Sequence, residues 1–130
     1  MKAIKYQIGN LVECNLLGNR YTDRIPYYGK NIYSVFSACK DFVKLDLSHD
    51  ALQKVEIQEV NPIFLTDEWM AKTEAKLFPW GWVIGEVLIR TNMKDKFWIE
   101  LGNGVRIDLT YVHTLQNFIA LIGEELTFNA

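Results

Sequence analysis

Apolar and polar positions along the chain change period several times, and the changes divide it into short elements. Ile4, Tyr6 and Ile8 alternate with polar neighbours, and Leu11–Leu17 is a second apolar run interrupted by Glu13 and Asn15. Both predict strands. Gly18-Asn19 predicts a tight turn into a strand over 20–25. Pro26 and Gly29-Lys30-Asn31 break the chain before Ile32–Phe36, whose β-branched and aromatic side chains favour a strand. Phe42–Leu47 and the alternating Val55–Val60 predict two more, separated by the turn-like Ser48-His49-Asp50.

The period then becomes helical. Thr66 is a good N-cap and Asp67-Glu68 places negative charge in the first turn, so a helix is predicted over about 66–77, stopping before Pro79. Ile63 or Leu65 is expected to pack back against it. Trp82–Arg90 predicts a single strand, and Thr91–Asp95 a turn. Phe97, Ile99 and Leu101 form one face of the next strand, which Gly102-Asn103-Gly104 turns into a partner carrying Val105, Ile107 and Leu109. Thr110 is placed to cap a closing helix over 111–122, with an apolar stripe of Val112, Leu115, Phe118, Ile119 and Ile122 and a terminating Gly123. Leu126-Thr127-Phe128 predicts a short terminal strand. Strands joined by short turns rather than alternating with helices predict an α+β fold. Mostly antiparallel strands carry two packed helices, and the first half is free to curl into a partial barrel.

Composition adds little to this. With 130 residues, 49% hydrophobic content and only three prolines, the expectation is one domain, residues 1–130, without a linker. No internal repeat is visible. Cys14 and Cys39 are too few for a disulfide framework and too far apart for a Cys-x-x-Cys site; both are read as small core or half-buried positions. Neither a signal-peptide run nor a membrane span is visible, so a cytoplasmic protein with no membrane contact is expected. Charge is uneven. Residues 1–44 hold seven basic side chains against three acidic, whereas the remainder holds seven against thirteen. Such asymmetry fits an anion-binding first half or a chance distribution in a small sample.

Three segments carry a resemblance: Ile8-Gly9-Asn10-Leu11-Val12, Pro62-Ile63-Phe64-Leu65-Thr66-Asp67-Glu68-Trp69, and Tyr111-Val112-His113-Thr114-Leu115-Gln116-Asn117 running to Gly123-Glu124-Glu125-Leu126. In order and spacing they resemble a family of small proteins encoded in gut-bacterial genomes, prophages and mobile elements. The resemblance implies a genomic context and no chemistry. The sequence departs from the family's pattern where Ala75-Lys76-Leu77-Phe78-Pro79 stands in place of a glycine-aromatic step.

Candidate chemistry is sparse. His113 and Gln116, three apart at the start of the closing helix, share a face. A neutral imidazole there could serve as acid–base group or ligand. Without a nucleophile or ligand-spaced partner, the pair is read as structural. Asp67-Glu68 is explained by helix-start electrostatics, and Glu124-Glu125 does not have metal-ligand spacing, so no metal or cofactor is expected. Phosphate loops, nucleophile elbows and zinc-helix motifs are absent from the sequence, which makes an enzyme the less favoured class. Four tryptophans fall within 30 residues, and Trp80, Trp82 and Trp98 are the candidates for contact with a protein partner. Trp98 shares its strand face with Glu100, opposite the apolar row, and is the one most readily assigned to an interface, including that of a homodimer. In the alternative reading, Arg20, Arg24 and Lys30, interleaved with Tyr27 and Tyr28, bind nucleic acid. Phosphates need charge and bases need flat faces. A sequence pI near 5.7 weighs against that second reading.

Overall fold

A computed structural model describes residues 5–17, 28–47, 51–92 and 96–128. The strand predicted over 20–25 and the turn at 48–50 lie outside them. The fold is α+β, with two open antiparallel sheets of five strands among the described residues, and the chain divides into two compact units between Ile63 and Phe64. No composition shift marks that division.

In the first unit, β1 (Leu11–Glu13), β2 (Ile32–Ala38), β3 (Phe42–Asp46), β4 (Leu52–Glu56) and β5 (Asn61–Pro62) are ordered β4-β3-β2-β1-β5. Period-two alternation decides what is buried. In β3, Val43 and Leu45 point inward while Lys44 and Asp46 face solvent. The pairs Val12–Tyr33, Val35–Leu45 and Val43–Val55 then stack into one core with Tyr6, Cys14, Leu17, Leu47 and Val60. A bulge between Val35 and Ser37 turns Phe36 outward. Among the described residues the sheet ends in β4 on one side and β5 on the other, and the predicted curl does not close into a barrel.

Two predicted strands of this unit give way to turns, one of them only in its second half. Gln7 to Asn10 is a β-turn in which the Asn10 amide donates to the Gln7 carbonyl and Gly9 has φ of 89°. Positive φ at the third residue is the type II pattern that glycine accepts without strain. The buried Asn10 side chain accepts from the Gln7 amide, and Ile8 is left exposed. At the other end, Val55–Val60 is not one strand. β4 stops at Glu56 and a 3₁₀ turn, Ile57–Glu59, follows. The valine–isoleucine alternation also fits the three-residue spacing that brings Ile57 and Val60 to one side. Cys39 is exposed, so only Cys14 is a core thiol.

The second unit begins with α1 (Asp67–Ala71), then β6 (Lys76–Phe78), β7 (Gly81–Ile84), β8 (Val87–Thr91), β9 (Phe97–Glu100), β10 (Arg106–Asp108) and α2 (Val112–Leu121). Its sheet order, β10-β9-β8-β7-β6, is a simple meander. Thr66 caps α1 as predicted, its hydroxyl oxygen accepting from the Trp69 amide at 3.2 Å. The helix is far shorter than 66–77. Thr73 ends the run, its hydroxyl donating to the Met70 carbonyl at 2.7 Å and accepting from the Ala75 amide, which diverts the backbone from the helical ladder. Pro79 disfavours helical geometry at Phe78, and Lys76–Phe78 becomes an edge strand paired with β7.

The span 82–90 is likewise two strands. Ile84 pairs with Val87 around Gly85-Glu86, with positive φ at Gly85 alone, the pattern of a type II′ hairpin. The Gly102–Gly104 hairpin and the β9–β10 pair are as predicted. In α2 the buried residues are Val112, His113, Leu115 and Ile119. Tyr111, not Thr110, is the N-cap, because the Thr110 carbonyl instead accepts from the Leu65 amide. Gly123, at φ of 84°, closes the helix: its amide donates to Ala120 and that of Glu124 to Ile119, a Schellman motif. The terminal strand reduces to one bridge, Phe128 with Thr73, beside which the Glu74 carboxylate accepts from the Thr127 amide and hydroxyl.

Candidate interaction surface

The meander sorts its side chains by parity. Trp82, Ile84, Ile89, Phe97 and Ile99 fall on one face and are buried. On the other face the register aligns Lys76, Val83 and Leu88 in one row, and Arg90, Trp98 and Asp108 in the next. Glu100 and Arg106 form the adjoining pair. Trp98 is half-buried on this outer face, between Arg90 and Asp108. Its indole N–H donates to the Glu100 carboxylate at 3.3 Å, and the Arg106 guanidinium lies 4.2 Å from its ring centroid. Arg106 in turn meets Asp108 at 2.8 Å, and Arg90 meets Glu100 at 3.5 Å. Two cations and two carboxylates thus hold one indole in place. Each exposed ion pair is worth little to stability, on the order of 0.2–1 kcal/mol. Together they fix the orientation of a large aromatic side chain on the surface.

A second aromatic feature stands at the edge of the same sheet. Phe78 pairs with Gly81, leaving Pro79 and Trp80 as a two-residue loop. The rings of Phe78 and Trp80 stack, with centroids 5.1 Å apart and planes within 8°. Both remain accessible, at 38% and 59%.

Of the three tryptophans proposed for partner contact, Trp98 and Trp80 are therefore on the surface and Trp82 is not. Trp82 is 6% exposed, and its indole N–H donates to Asp67 at 3.2 Å, tying β7 to the first turn of α1. Sequence reasoning missed Phe78, which it left between the predicted helix and Pro79, and the charged frame around Trp98. That frame was readable from the hairpin, since a turn at 102–104 sets Trp98 opposite Asp108 with Arg106 on the diagonal. Of the proposed nucleic-acid segment, Tyr28 is half-buried and Lys30 exposed, while Arg20, Arg24 and Tyr27 lie outside the described residues.

His113 and Gln116 sit in the first half of α2 as expected. His113 is buried and stacks on Tyr111 with centroids 5.4 Å apart, and Tyr111 meets Phe64 at 5.2 Å. Gln116 is half-buried. Among the described residues no group of three or more His, Cys, Asp and Glu side chains gathers, and no helix is long and apolar enough to cross a membrane.

Burial lowers the His113 pKa below its ordinary value of 6.5, because desolvation disfavours the imidazolium. The unfolded chain therefore binds more protons than the folded one across the window between the two pKa values. Stability is expected to fall as pH drops from about 6.5, and to level off below the folded pKa. Denaturation midpoints measured between about pH 7.5 and about pH 5.5 should decline less in His113→Gln than in the wild type. Parallel profiles would show that His113 is not the titrating group.

Compared with models of known protein families, with curated proteins and with solved structures, the chain matches none.

Proposed function

We propose that this is a non-enzymatic accessory protein of phage or mobile-element origin that acts by binding another protein through the aromatic outer face of its second unit. The observation that carries the reading is the stacked Phe78–Trp80 pair, exposed at the sheet edge. Tryptophan and its aromatic neighbours dominate binding energy when a partner covers them. Trp98 supplies a second rigid aromatic on the same face, set in a polar frame of the kind that rims interfaces. The origin rests on the family resemblance alone.

Capture by the tagged protein from the cells that make it tests the proposal. A stoichiometric protein partner is expected with the wild type, reduced at least about tenfold by Phe78→Ser with Trp80→Ser, since two lost hot-spot residues remove more than about 1.4 kcal/mol. Both side chains are exposed, so the double variant should keep its fold. An identical set of captured proteins from both would contradict the proposal. Nucleic-acid binding is the competing reading. It predicts salt-dependent binding of labelled oligonucleotides that Arg20→Ala with Arg24→Ala weakens.

A further inference from the structure

A cleft of about 410 Å³ opens in the second unit, where residues 64–66 run beside the ends of β9 and β10. Volumes of roughly 300–1,000 Å³ are those of small-molecule sites, and this one lies at the small end. Its floor is apolar, formed by the buried Leu65, Phe97 and Leu109. Phe64 also lines it, 65% exposed, with its ring centroid 5.2 Å from that of Tyr111. The polar residues that line it are Lys96, Arg106, Asp108, Thr66 and Thr110.

Charge narrows the occupant. Two cations face one carboxylate, and Arg106 uses its Nε on Asp108, which leaves the mouth with one net positive charge. Asp108 would repel a dianion such as a phosphate monoester, whereas a monoanion balances the mouth. We infer that the cleft binds a small aromatic carboxylate, its ring between the apolar floor and Phe64 and its carboxylate toward Lys96 and the outer nitrogens of Arg106. Arg106 and Asp108 also frame Trp98, so the cleft adjoins the proposed interaction surface. It does not depend on that surface having a partner.

Phenylacetate, its neutral isostere phenylacetamide, and acetate are the probes, titrated against the isotope-labelled protein with amide shifts read by NMR. Phenylacetate is expected to give saturable shifts at Leu65, Phe97, Leu109 and Thr110 with Kd on the order of 1 mM, as suits a ligand of this size. Phenylacetamide should bind about fivefold more weakly, and acetate should give no saturable shift there. Lys96→Glu should weaken phenylacetate about fivefold and leave phenylacetamide unchanged, while Phe64→Ala should weaken both by about three- to tenfold. Equal binding of the acid and the amide would overturn the assignment, as would shifts that do not saturate or that scatter over the surface.

Discussion

Replacing Gly81 with alanine is expected to destabilise the second unit by about 3 kcal/mol, through strain and collision together. Gly81 has φ of 139°, a region that L side chains rarely enter. A Cβ built there lies 2.5 Å from the Ile89 carbonyl oxygen, which belongs to the neighbouring strand and cannot rotate away. Gly85, only four residues on, separates the two effects. Its φ is 57°, yet nothing lies within 4 Å of an added Cβ. Gly85→Ala should therefore show the backbone strain alone, about 1 kcal/mol. Urea denaturation of both variants checks the contrast, with the midpoint falling and the slope unchanged. Equal losses at the two glycines would mean that Ile89 does not approach β7 as described.

Trp82→Ala should remove about 4 kcal/mol, the usual loss when a fully buried indole leaves a cavity. Trp82 lies in the buried row of the meander, paired with Ile89, and donates to Asp67. Trp82→Phe keeps part of the volume and loses the hydrogen bond, so about 1.5 kcal/mol is expected. Asp67 is exposed and recovers its lost partner from water. The same alanine substitution at Trp80, which is mostly exposed, should change stability by less than about 0.5 kcal/mol. Chemical denaturation of the three variants would show which tryptophans belong to the core. A loss below about 1 kcal/mol for Trp82→Ala would return that residue to the surface and to the list of partner contacts.

What the sequence reveals depends on whether a local signal decides the structure. Thr66, Gly102-Asn103-Gly104 and Gly123 act through their own side chain or backbone freedom, and each does in the structure what its type predicts. The parity of Phe97–Glu100 was equally legible, because one buried face forces Trp98 and Glu100 to the other. Lys76–Phe78 was not. Glu74-Ala75-Lys76-Leu77 is good helix sequence, and only pairing with β7 makes it a strand. Gly85-Glu86 reads as two residues of a long strand until the strand is found to fold back on itself. At Val55–Val60 the two-residue alternation breaks at Glu59, and the Val60 amide's bond to the Ile57 carbonyl closes a 3₁₀ turn where the strand reading continued.

The same distinction applies to the candidate site. Tryptophans announce themselves in a sequence, so Trp98 and Trp80 were found, but Trp82 was grouped with them because the hairpin that turns it inward was not seen. Phe78 acquires its stacked position only once Pro79-Trp80 is a hairpin loop rather than the end of a helix. The cleft gathers residues from 64–66, 96–97 and 106–110, segments that no spacing rule connects.

The central claim is that the aromatic outer face of the second unit meets a protein partner, and site-specific photo-crosslinking tests it most directly. p-Benzoylphenylalanine would be placed at position 80, at position 98, and at position 121, where Leu121 is 83% exposed on the last turn of α2 away from the aromatic pair in sequence. An adduct of one defined mass is expected from positions 80 and 98 in cells making the protein, and none from position 121. No adduct from position 80, or the same adducts from all three positions, would contradict that claim.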